Sequence, residues 1–190
     1  RLHSLDKDLR HQLVTQAYLL LKNIVSEVSP TYTIDSFRAG GWCIQPFNEI
    51  KDLLKEIGIL YDFSVIPNQT SFDLPKHFYD YRKVPANKSS WSFSADTTIE
   101  DKNGEFIELP VTILKVKIID FFINRLRIKK NIYMGDGRGA ATPKTFLEKL
   151  MKITYNIPQL LSSDSFDKDL LKKYLINKND DFLVYVAHPK

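Results

Sequence analysis

Between Tyr32 and Ile66 an apolar stretch, a helical stretch and a second apolar stretch follow one another, and this order constrains the fold more than anything else in the chain. Tyr32 to Phe37 reads as a short strand. Pro46 suits the first position of a helix, where its missing N–H costs nothing. Ile50, Leu53, Leu54 and Ile57 then recur at helical spacing, and Gly58 suits the stop. The run "ILYDFSVI" (residues 59–66) reads as a second strand with few polar interruptions. A strand, a helix and a strand at this spacing form a right-handed crossover, which makes the two strands parallel neighbours. An α/β fold with a mainly parallel sheet is the expectation.

The remaining segments fit around that unit. Ser4 suits an N-cap, and Leu9, Leu13, Ala17, Leu20, Leu21 and Ile24 repeat at helical spacing as far as about Val25. From Pro67 to Gly104 the chain is polar and aromatic without a sustained period, the texture of a functional excursion. The run "FIELPVTI" reads as a third strand ended or bent by Pro110. Helices are expected over Ile118 to Leu126, from Thr142-Pro143 onward, and over Asp167 to Ile176, with "FLVYVAHP" as a final strand. The 190 residues, 43% of them hydrophobic, suit one domain and exclude a disordered chain. No apolar run reaches the length of a membrane span. The net charge of +4 suits an anionic partner without demanding one. The basic run "RLRIKKN" lacks interleaved aromatics, so no nucleic-acid partner is expected.

Several residues are candidates for chemistry. Arg38, Gly40, Gly41 and Trp42 follow the first strand, and ligands of parallel α/β sheets bind beyond the C-terminal ends of the strands. An arginine there is costly to bury unless an anion meets it. The residues alone leave two readings open, a ligand-facing loop or a structural turn with an exposed arginine. His188 ends the last apolar run, where an imidazole can exchange a proton near neutral pH. The run "GDGRGAATP" (residues 135–143) has only fragments of a phosphate-binding fingerprint and reads as a loop. The sequons at Asn68 and Asn87 carry no weight without a secretory context. Cys43 is the sole cysteine, and His3, His11, His77 and His188 lack the spacing of a two-histidine zinc site.

Taken together, "SFRAGGW", the helix running into "LLKEIGILYDFSV", "GEFIELPVTI" and the terminal "VAHPK" resemble the polysaccharide deacetylases, and more closely the deacetylase-like proteins with NodB homology of bacterial surface-polysaccharide pathways. The resemblance runs from about Ser4 to Lys190 and rests on the order of short motifs. It implies a distorted, incomplete (β/α) barrel and a hydrolase acting on N-acetyl groups of a bacterial surface glycan. The alternative is a non-catalytic relative that binds glycan or assists polysaccharide assembly. A divalent metal, zinc or similar, is implied as cofactor, but its aspartate-pair and two-histidine motifs do not occur in this sequence. On that footing the chain, which begins at Arg1, is expected to be incomplete at its N-terminus or to come from a lineage that has lost those motifs. The resemblance assigns His188 as the acid that protonates the leaving amine and Arg38 as the group orienting a catalytic carboxylate. It places Asp62 as the acid tuning His188, although the tryptophan that flanks this acid in the family has no match here. Trp42 is suited to stack on a sugar ring. The compartment implied is the bacterial cytoplasm or cell envelope.

Overall fold

Asp6, not Ser4, starts the first helix. Its carboxylate accepts the amide hydrogen of Leu9 at 2.9 Å, satisfying one of the donors that a helix start leaves open. Ser4 lies instead in a preceding 3-10 turn, Leu2–Ser4. Helix α1 runs over Lys7–Val28 and ends where the Ser29 amide closes on Val25 O at 2.8 Å, just before Pro30. The computed structural model describes residues 2–73, 77–130, 157–162, 166, 168–176 and 178–187. These divide into two compact units, 1–110 and 111–190.

The first unit is built on a four-stranded mixed sheet. Its strands are β1 (Ser36–Phe37), β2 (Tyr61–Asp62), β5 (Trp91–Phe93) and β6 (Phe106–Glu108), in the order β1-β2-β6-β5. The expected crossover is present: β1 pairs parallel with β2, and β2 parallel with β6. Strand β5 closes the far side antiparallel to β6. The strands are shorter than the apolar runs that contain them. Pro46 does not open the crossover helix but precedes a 3-10 turn, Phe47–Glu49, and α2 follows over Lys51–Glu56. Leu53 and Leu54 of α2 are buried beside Ile50. Gly58 ends the turn after α2 at φ 81°, a backbone conformation open to glycine at no steric cost.

The stretch from Pro67 to Gly104 is more regular than its texture suggests. It holds β5 and a hairpin of β3 (Thr70–Asp73) with β4 (His77–Asp80). Phe72 and Phe78 face each other across that hairpin, ring centres 5.7 Å apart. Beneath the main sheet Phe47 packs edge-on against Phe93 at 4.8 Å and Phe106 at 5.0 Å. Helix α1 contributes little to this core, because only Arg10 and Val14 are buried. The Arg10 guanidinium is held by Leu5 O at 2.8 Å and by the Glu49 carboxylate at 2.6 Å. The leucines that set its helical period, Leu9, Leu13 and Leu20, are exposed.

In the second unit β7 (Ile113–Val116) pairs antiparallel with β8 (Ile157–Leu160), so the "FIELPVTI" run spans two strands separated by Pro110. Helices α3 (Ile118–Lys130) and α4 (Lys168–Leu175) match the expected segments within a few residues. Leu114, Val116, Leu161, Phe166 and Leu170 form the core, with Phe121 and Tyr174 packed on it. Among the described residues the closing run, 182–187, is not a strand. Val186 makes one isolated parallel bridge to Ser162, while Phe182, Leu183 and Tyr185 are exposed and give a ladder nothing to bury. Of the five strand pairings among the described residues, β1–β2 and β2–β6 are parallel and the other three antiparallel, so the described fold is mixed α/β rather than mainly parallel. Among the described residues the strands do not close into a barrel. No described helix is long and apolar enough to cross a membrane.

Candidate functional site

Where β1 ends, the chain leaves the sheet through Arg38 and makes a tight turn, Gly40–Trp42. Gly41 has φ 67° and Trp42 follows at φ 66°. Glycine reaches that region freely, whereas a bulky residue there is strained by about 1–3 kcal/mol. The surroundings hold the turn in place. The buried Tyr81 hydroxyl donates to the Trp42 carbonyl. The Gln45 amide group receives the Asp80 N–H at 2.6 Å and donates to Asp80 O at 3.2 Å. The Cys43 thiol donates to Gly41 O at 3.2 Å, and Cys43 itself is buried. The Arg38 guanidinium lies 5.4 Å from the Trp42 ring centre, a cation–π contact. Arg38 is exposed, so no anion is needed to offset its burial. Among the described residues it forms no salt bridge.

The acidic side of the site lies beside this loop. Phe37, Asp62 and Glu108 are register neighbours across β1, β2 and β6, and each closes its strand. Two carboxyls therefore sit side by side at the C-terminal ends of parallel strands. Asp62 is 1% exposed and Glu108 0%. Each lies near enough to the other to affect its ionisation. Asp62 Oδ1 accepts from the Ser64 hydroxyl at 2.5 Å, and Glu108 Oε1 accepts from the Val65 amide at 3.2 Å. The second oxygens, Asp62 Oδ2 and Glu108 Oε2, are buried without a donor if both groups are ionised. One proton held between the carboxyls supplies that donor.

Electrostatics point the same way. Burial pushes the Asp62 carboxyl up to about 6, against smaller opposing effects from Glu108, Ser64 and backbone amides. Burial first and the Asp62 charge second hold Glu108 well above the usual carboxylate range. Burial, then the charges of Asp62 and Glu108, also raises the Tyr81 phenol. Tyr79 stacks on Tyr81 with ring centres 5.0 Å apart.

The structure thus brings Arg38, Gly40, Gly41 and Trp42 onto one loop and sets Asp62 on the adjacent strand. His188 and residues 135–143 lie outside the described residues. Among the described residues the partners of Asp62 are Glu108 and Ser64. Glu108 is the member that sequence reasoning missed. Its signal was there: an acid inside the apolar run "FIELP", which is costly to bury unpaired. Among the described residues no three histidine, cysteine, aspartate or glutamate side chains gather as metal ligands. The described residues do not fit the metal that the resemblance implies. The chain matches no family model, no curated protein and no solved structure.

Proposed function

We propose that this chain belongs to a deacetylase-like hydrolase acting on N-acetyl groups of a bacterial surface glycan, with an incomplete (β/α) barrel as its framework. The observation that carries the reading is the juxtaposition of Arg38 and Asp62. They stand at the ends of neighbouring parallel strands, the place where α/β sheets bind ligands. Arg38 is exposed and offers five donors in a planar fork, suited to a carboxylate or another anion. Trp42 offers an aromatic face for a sugar ring, and its strained backbone is typical of a ligand-binding turn. Gly40 and Gly41 keep that turn free of side chains that would block close approach. In this reading His188 is the leaving-group acid, Arg38 orients the carboxylate that acts as base, and Asp62 is the buried acid at the adjacent strand end.

The test is release of acetate from N-acetylated oligosaccharides by the protein, with zinc or cobalt supplied. His188→Ala lowers turnover by about a hundred- to ten-thousand-fold with little change in glycan binding, because a general acid acts on the transition state. Arg38→Lys also lowers turnover, since lysine keeps the charge but loses the fork. Full activity of His188→Ala overturns its assignment. Glycan binding without turnover by the wild type replaces the hydrolase with the non-catalytic relative.

A further inference from the structure

Two routes connect the buried carboxyls to the Arg38–Trp42 loop. On one side the Ala39 amide donates to Ser64 Oγ at 2.8 Å, and Ser64 donates its own proton to Asp62 Oδ1 at 2.5 Å. On the other, Tyr81 feels the charge of both carboxyls while its hydroxyl holds the Trp42 carbonyl. The loop is therefore anchored at both ends of the Ala39–Trp42 stretch by groups that touch or sense the pair. Asp62, Ser64, Tyr81 and Glu108 are each 0–1% exposed, so water cannot replace a lost partner.

The groups around the pair are few. Ser64 and the backbone amides of Phe63 and Ser64 face Asp62, the Val65 amide faces Glu108, and Tyr81 stands nearby with Cys43 beyond it. Among the described residues no lysine, arginine or histidine pairs with either carboxyl. With no cation at hand, two full negative charges on adjacent strands repel in a dry site, and one retained proton removes the repulsion.

We propose that Asp62 and Glu108 act as one proton-sharing dyad whose charge sets the position of the Arg38–Trp42 loop through Ser64 and Tyr81. Glu108 is then a positioning residue acting through Asp62. With one proton on the dyad, Asp62 keeps a charged acceptor for Ser64 and the loop stays closed on the sheet. A second proton weakens that acceptor. Loss of the last one drives the ends of β2 and β6 apart and pulls on both anchors. The proposal deepens the functional reading by adding a pH response to the same loop, and it relies on that reading only for what the loop binds.

Backbone amide NMR of the whole chain between pH 4 and 9 tests it. The Ala39 amide reports the Asp62 end through Ser64, and the Val65 amide reports the Glu108 end directly. Both are expected to titrate with common midpoints, as coupled sites do. Glu108→Gln is expected to remove the upper step at Ala39 or lower it by about one pH unit or more. Should that variant not fold, Asp62→Asn is expected to leave Val65 with a single Glu108 midpoint shifted from the shared values, and Ser64→Ala to uncouple Ala39 while leaving Val65 titrating. Separate midpoints at the two amides, a flat Ala39 amide, or a titration unchanged by these variants overturns the proposal. So does a titration at Ala39 that vanishes in His188→Gln and survives in Glu108→Gln. None of these readouts depends on glycan turnover, so a failed deacetylase assay leaves the dyad standing or falling on its own.

Discussion

Raising the pH from 4.5 to 7.5 should destabilise the first unit, the reverse of the usual carboxylate trend. A buried carboxyl with a raised pKa binds its proton more tightly when folded than when unfolded. Its stabilising contribution is complete below the unfolded value and is lost as pH rises through the folded one. For Asp62 those limits are 3.8 and about 6. The difference corresponds to ~3 kcal/mol at one pKa unit per 1.36 kcal/mol. Glu108 is raised as well and adds in the same direction. The lowered acids Asp80, Asp101 and Glu105 act elsewhere, because their contributions are lost only as pH falls below the ordinary carboxylate range. Both tryptophans, Trp42 and Trp91, lie in residues 1–110, so tryptophan fluorescence during urea unfolding of the whole chain follows this unit. Part of the Asp62 contribution is already lost at pH 4.5, so ~2 kcal/mol disappears between pH 4.5 and 7.5. With a denaturant slope of ~2 kcal/mol per molar, the midpoint should fall by ~1 M across the window. A midpoint that is constant or rises between pH 4.5 and 7.5 refutes the argument, since it requires the two carboxyls to ionise as easily in the fold as in water.

Three further outcomes are expected. Phe47→Ala removes the ring against which Phe93 and Phe106 pack, and should cost about 3–5 kcal/mol in urea unfolding. Tyr81→Phe removes one of the two donors to the partly buried Trp42 carbonyl, leaving the Ile44 amide at 3.2 Å, and should cost about 0.5–1.5 kcal/mol by the same measurement. Trp42→Gly should destabilise less than Trp42→Ala, because glycine alone suits φ 66°, yet both should weaken glycan binding measured by calorimetry.

Where local chemistry decided the outcome, the sequence was readable. The crossover from β1 through α2 to β2 followed from one apolar period and a terminating glycine, and its parallel pairing came with it. Placing a candidate site at the end of β1 needed only that topology. The first helix was legible as a helix but not in its cap, since Ser4 and Asp6 are equally good caps and only the 3-10 turn at Leu2–Ser4 decides between them. Its burial was not legible at all: a leucine period says which face is apolar, not whether anything covers it. The β3–β4 hairpin was hidden because four-residue strands with Pro75 between them show too little alternation to stand out. "FLVYVA" misled for the opposite reason: it has strand composition, but among the described residues its pairing stops at one isolated bridge to Ser162. Glu108 escaped because its meaning depends on register. Nothing in "FIELP" reveals that its acid lands beside Asp62.

Gln45 has a consequence beyond steadying the loop. In the β3–β4 hairpin the Asp80 N–H and C=O are turned away from β3, whose backbone bonds nearby run between Asn68 or Gln69 and Tyr81. An unclaimed N–H and C=O of this kind is what a foreign strand adds to when sheets grow edge to edge. The Gln45 amide meets both groups at once, donor to acceptor and acceptor to donor, as the peptide of a next strand would. One side chain thereby closes at Asp80 the free edge of a hairpin only two strands wide.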